Sequence, residues 1–166
     1  MRMGPISRAG AIAMLAMLVL ASPRCPAQIP GSAALPESAF SIPQAQLLQP
    51  EELNRLLQAK GAEKPLVLQV GSHVLFAEAH IQGSEYVGPG SQPAGLQQLQ
   101  QRVVSLSRKS FIVLYCGCCP WNHCPNIAPA YWQLQNLGFT RVKVLYLANN
   151  FGDDWVSKGY PVERGR

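Results

Sequence analysis

The sequence predicts an α/β domain, a parallel β-sheet flanked by helices. Three observations carry this expectation. Short apolar runs rich in Val, Ile and Leu recur at residues 66–70, 111–115 and 142–147. Segments with apolar residues at helical spacing alternate with those runs, the pattern of strand–helix–strand units. Gly and Pro punctuate the junctions, at Gly61, Pro65, Gly71, Gly88-Pro89-Gly90 and Gly138.

In chain order, Pro50-Glu51-Glu52 opens the first helix. Proline suits a first helical position, and acids suit the positive end of the helix. Leu53, Leu56 and Leu57 give it an apolar face, and Gly61 stops it. The run 66–70 reads as a buried strand, and 73–79 as a brief helix. Ile81, Gly83, Tyr86 and Val87 predict a turn and a short strand. Leu96, Leu99, Val103 and Leu106 place an amphipathic helix over 96–107, with glutamines on its wet face. The strongest strand, 111–115, runs straight into Cys116. A helix is expected over 127–137, a strand over 142–147 and a last short helix over 153–158.

The 166 residues hold one domain with extensions. Residues 1–27 read as a signal peptide: Arg2 and Arg8 form the positive start, and 9–21 form an apolar stretch too short for a comfortable membrane span. Ala27 ends a small-residue cleavage site. An uncleaved anchor is the alternative, and it would be the only membrane contact. Ser22, Pro23 and Arg24 do not form a lipobox before Cys25. Residues 28–46, rich in Pro, Ser, Ala and Gln, read as a flexible tether, and 47–166 as the folded domain. The expected location is the periplasm or the exterior. The formal charge of +5 is partly the leader's. From Gln28 onward eleven Lys and Arg face nine Asp and Glu, with no basic run among aromatics, so nucleic-acid binding is unsupported.

Cleavage at Ala27 leaves Cys116, Cys118, Cys119 and Cys124, all within nine residues. A disulfide framework would spread them along the chain, so the cluster reads as a site. The segment Cys116-Gly117-Cys118-Cys119-Pro120-Trp121-Asn122-His123-Cys124-Pro125-Asn126 lies between a strand and a helix. Backbone N–H groups and a helix N-terminus converge on such a loop. A thiol there has a lowered pKa, and the thiolate is the nucleophile. Cys116, at the strand end, is the candidate.

The chain resembles the rhodanese-like (sulfurtransferase) family from about Pro50 to Glu163. Pro50-Glu51-Glu52-Leu53 resembles the family's opening helix. Leu68-Gln69-Val70 falls at its Asp-Val-Arg strand end, and His80-Ile81-Gln82-Gly83-Ser84 resembles its His-Ile-Pro-Gly-Ala turn. Val113-Leu114-Tyr115-Cys116 matches the strand leading to its catalytic cysteine. Leu137-Gly138-Phe139, Val144-Leu145, Trp155, Gly159 and Pro161-Val162-Glu163 match later segments. The resemblance implies a rhodanese-like fold and a Cys116 that attacks thiosulfate or another sulfane-sulfur donor. Cys116 then carries a persulfide and passes the sulfur to a thiol acceptor. It implies a cradle of backbone amides from Gly117, Cys118, Cys119, Pro120 and Trp121, and no required cofactor.

Here the sequence departs from the family pattern. The loop is longer, it carries no Arg or Lys, and Gln69 and Gly71 replace the usual Asp and Arg. A phosphatase would want an arginine closing the loop. The extra thiols leave three readings open. Cys118, Cys119 or Cys124 could resolve a Cys116 persulfide or sulfenate as a disulfide. The cysteines with His123 could bind Zn or Cu(I). A structural disulfide, such as Cys119 to Cys124, could pin the loop. The last two fit a non-catalytic module with an envelope protein as partner. His80 reads as a structural hydrogen-bonding residue, His73 as a helix start and Asn126 as an N-cap. Trp121 reads as a cover for the cysteine pocket or as loop packing. Tyr131, Trp132 and Trp155 read as core, and Asp153 and Asp154 as helix-start acids.

Overall fold

A computed structural model of the chain describes residues 41–61 and 63–165. The expected signal peptide, Cys25 and residues 28–40 of the expected tether lie outside the described residues. Residues 41–46 of that segment lie inside them: Ile42 is buried, and Gln44–Gln46 form a single 3₁₀ turn.

The strands are β1 (Leu47–Leu48), β2 (Leu66–Gln69), β3 (His80–Ile81), β4 (Glu85–Tyr86), β5 (Ile112–Tyr115), β6 (Val142–Leu145) and β7 (Val162–Glu163). The helices are α1 (Pro50–Gln58), α2 (His73–Glu78), α3 (Pro93–Val103) and α4 (Ile127–Asn136). Five strands form a sheet in the order β1-β6-β5-β2-β4, and every neighbouring pair is parallel. A separate antiparallel pair joins β3 to β7, with His80 opposite Glu163. Among the described residues no helix is long and apolar enough to cross a membrane.

Both faces of the sheet are covered, so the central strands are apolar throughout rather than alternating. Successive side chains still point to opposite faces. Ile112, Leu114 and Cys116 pack with α3 and α4, against Leu99, Val103, Ile127 and Leu134. Val113 and Tyr115 pack the other way, with Leu53 of α1, Ile81, Leu147 and Trp155. The phase of β5 therefore carries the Cys116 thiol toward the α4 side.

Several elements differ from expectation. The third helix starts at Pro93 and ends at Val103, earlier than 96–107. Proline at its first turn sets the start, and Leu106 packs from the turn beyond. The last helical segment is a single π-type turn, Gly152–Val156, with Ser157 N–H donating to Gly152 O at 2.9 Å. The two-residue strands β1 and β7 were not expected. They are too short to show periodicity and exist through pairing with distant partners. Asn126 was expected to cap α4, but its side chain caps nothing and its backbone is already helical. Its amide is used elsewhere, at the cysteines.

The loop 88–90 meets α3 at very close range. A Cβ on Gly95 would lie 2.1 Å from Pro89 O, and one on Gly90 would lie 2.1 Å from Asn126 O. These two glycines let α3 and the start of α4 close on loop 88–90.

Candidate functional site

Cys116 follows the last residue of β5 and is 2 % exposed. It lies beyond the carboxyl ends of the parallel strands, where open parallel sheets place their sites. Gly117 takes φ +90, a left-handed turn that bends the chain away from the strand. The loop is then tied back. Phe151 N–H donates to Gly117 O at 3.1 Å, and Trp121 N–H donates to Leu147 O at 2.9 Å.

Of the amides expected to form a cradle, two do not contribute. Pro120 has no N–H, and that of Trp121 is committed to Leu147. The Cys118 N–H does bond to the Cys116 sulfur. Trp121 is half-buried, lies tilted against Tyr146, and packs against the core cluster. It lines a small cavity of about 150 Å³ with Ile42, Cys124 and Ile127, not the cavity at Cys116. Loop packing is therefore its role.

The four loop cysteines are free thiols, and the Cys119–Cys124 disulfide, one of the three readings left open by the sequence, is not formed. The Cys116 sulfur lies 3.2 Å from that of Cys118, which lies 3.1 Å from that of Cys119. The sulfurs of Cys116, Cys118 and Cys124 all lie within 4.8 Å of one another. This triad could hold a soft metal ion. Cys119 and His123 are not part of it, and His123 is exposed.

The triad has one acidic member. Hydrogen bonding from Cys124 is the largest influence on Cys116. It outweighs burial and, with bonds from Cys118 and Asn126, holds the Cys116 pKa down at about 6, from an ordinary 9.0. Burial and the neighbouring thiols push Cys118 up to about 12. Cys124 is also pushed up, first by its bond to Cys116 and then by burial. One negative charge thus sits on Cys116, and its neighbours stay protonated and donate to it.

Asn126 is a site residue that the sequence reading missed. Its Nδ2 donates to the Cys116 sulfur at 3.4 Å, and Cys124 lies 3.9 Å away. Its Oδ1 accepts from Ser91 N–H at 3.0 Å and Ser91 Oγ at 2.7 Å, which fixes the amide orientation. Its place two residues after Cys124 was the available signal. On the other side, Gln69 Nε2 donates to Cys116 O at 3.0 Å, while Gln69 Oε1 accepts from Gly71 N–H at 3.1 Å. A Cβ on Gly71 would lie 2.8 Å from the Cys116 sulfur, so only glycine fits there.

A cavity of about 330 Å³ opens at Cys116, lined by Gln69, Leu75, Glu78, Cys118, Asn150, Phe151 and Val156 among others. Tyr115 lines it too. Burial raises its phenol to a pKa of about 12, and its oxygen accepts from Ile81 N–H at 3.2 Å. His80 has the structural role expected: it is buried, stacked on Phe76, with Nδ1 2.8 Å from Phe76 O. Asp154 holds Asn149 by two hydrogen bonds and Asp153 pairs with Asn150, so the two acids order the turn before the π-type segment. Tyr131 and Trp155 are buried.

A family model described as "Rhodanese-like domain" matches residues 49–148. No curated protein matches the chain. Among solved structures, the chain is similar to the rhodanese-like domain of an Anabaena sp. protein. The TM-score is 0.53 at 20% identity, over 72% of this chain and 79% of that one. A Bacillus halodurans protein is similar with a TM-score of 0.53 at 24% identity, over 70% of this chain and 75% of that one. EanB, solved in complex with hercynine, is similar with a TM-score of 0.53 at 22% identity, over 72% of this chain and 27% of that one. At these identities the likeness speaks to the fold.

Proposed function

The chain belongs to the rhodanese-like domain family, and from that premise we propose that it is an exported sulfur-transfer protein carrying sulfane sulfur on Cys116. The observation that carries the proposal is the Cys116 sulfur itself. It stands at the strand end, is kept ionised by hydrogen bonds from Cys124, Cys118 and Asn126, and lines a cavity. A thiolate so placed attacks the sulfane sulfur of a donor. The donor's S–S bond breaks, its electron pair leaves with the donor residue, and Cys116 becomes a persulfide. An acceptor thiolate then attacks the outer sulfur and regenerates the Cys116 thiolate.

Cys118 supports a branch from that cycle, since its sulfur is 3.2 Å from that of Cys116. Attack by Cys118 on the inner sulfur forms a Cys116–Cys118 disulfide and expels hydrosulfide. Export is part of the proposal and is supported by the basic and apolar leader at 1–27; the N-terminal mass of the mature protein recovered from the envelope tests it. The test of sulfur transfer is peptide mass spectrometry after treatment with a sulfane-sulfur donor. The expected result is one added sulfur on Cys116, lost on incubation with an acceptor thiol. No added sulfur on Cys116 with any donor would sink the proposal.

One observation favours a second reading, a non-catalytic metal module. Three thiols converge with no carboxylate or imidazole among them. Such a soft donor set favours Cu(I), with Zn the alternative. Metal analysis of anaerobically purified protein decides it: a stoichiometric metal lost in Cys124→Ser supports this reading, and metal-free protein removes it.

A further inference from the structure

We infer that the Cys116 cavity takes a neutral or cationic organic persulfide, rather than a small dianion, as its sulfur donor, and that Glu78 sets this charge preference. The inference rests on the sulfur-transfer reading and names its substrate class. Apart from its thiols and the buried Tyr115, the cavity is lined by one ionisable side chain, Glu78, and by no Lys, Arg or His among the described residues. Gly71 leaves no side chain beside the Cys116 sulfur, and Gln69 spends both ends of its amide on backbone groups. The rest of the lining includes Leu75, Phe151 and Val156. Leu75 and Val156 are 37% and 38% exposed, an apolar surface open to an organic group.

The charges decide between donors. Thiosulfate carries two negative charges into a cavity that already holds the Cys116 thiolate and the Glu78 carboxylate. No lining cation among the described residues compensates, and like charges facing one cleft repel, the more so at low ionic strength where Glu78 is least screened. A protonated organic persulfide, R–S–SH, adds none. The Cys116 thiolate attacks its outer sulfur, the donor's S–S bond breaks, and R–S⁻ leaves with the electron pair. The proton stays on the transferred sulfur. The reacting groups carry one negative charge throughout, beside that of Glu78. An ammonium on R turns Glu78 from a repulsion into an attraction.

The test compares cysteamine persulfide with thioglycolate persulfide, two small donors of like chemistry and opposite charge, with thiosulfate alongside. Loading of Cys116 in the full chain is followed by mass spectrometry at low ionic strength. Each rate is divided by that donor's rate toward free cysteine. The expected result is that cysteamine persulfide leads thioglycolate persulfide by about tenfold, with thiosulfate slowest. Glu78→Lys should narrow that lead by about threefold or more, and Glu78→Gln should narrow it less. Glu78 is exposed, so both variants are expected to fold, which circular dichroism checks. Equal normalised rates, or a ratio untouched by both substitutions while loading persists, would overturn the inference and leave sulfur transfer standing. Failure of every donor to load Cys116 would overturn sulfur transfer itself, and this inference with it.

Discussion

Cys116 owes its ionisation to neighbours far more than to position alone. Burial by itself would raise its pKa, yet the value falls to about 6 because Cys124, Cys118 and Asn126 all donate to the sulfur. A depressed pKa means that the thiolate persists above about pH 6 and is lost as pH falls through that value. An ordinary thiol would lose it below about 9. The alkylation rate of Cys116 with iodoacetamide, followed by peptide mass spectrometry, should therefore fall on the acid side with a midpoint near pH 6. Cys124→Ala removes the largest stabilising bond. Its midpoint should rise by about one unit or more; an unchanged midpoint would show that Cys124 is not the controlling donor.

At the scale of elements, close packing sets the position of α3. Gly95 lies in its first turns, where helix propensity alone favours alanine over glycine by about 1 kcal/mol. The packing term opposes this, because the new Cβ would lie 2.1 Å from the Pro89 carbonyl oxygen, a backbone atom. Overpacking against backbone costs about 1–3 kcal/mol and displaces the helix. Gly95→Ala should therefore lower stability in urea denaturation despite the better helix former. Increased stability would show that loop 88–90 yields more easily than its hydrogen bonds suggest. Gly90 N–H donates to Val70 O at 2.9 Å, and Gln92 N–H to Pro89 O at 3.0 Å.

For the whole molecule, stability lies in the two apolar layers rather than in surface charge. Leu114 is fully buried on β5, between β2 and β6. Leu114→Ala should cost about 2–5 kcal/mol. Glu85 pairs bidentately with Arg102 but is 42% exposed. Glu85→Gln should cost about 1 kcal/mol or less. Chemical denaturation of both variants checks the ordering, and a larger loss from Glu85→Gln would reverse this account of the fold.

The local sequence determined what is local. The apolar runs at 66–70, 111–115 and 142–147, the proline-opened α1 and the glycine stop at Gly138 each carry their signal within a few residues, since side-chain period and φ restriction are short-range properties. The parallel α/β class and the strand-end place of Cys116 follow from them. The strands β1 and β7 needed distant partners, Val144 and His80 among them, to exist at all. The site divided in the same way. The sequence named the four thiols but could not say which converge, because sulfur–sulfur distances depend on how the loop is tied to Leu147 and Phe151. Only the tertiary structure selected Cys116, Cys118 and Cys124 and left out Cys119 and His123. Only it turned Asn126 from a helix cap into a donor to sulfur, through the hold of Ser91 on its carbonyl oxygen. Long-range contacts fix hydrogen-bond direction, and that direction decides which thiol bears the charge.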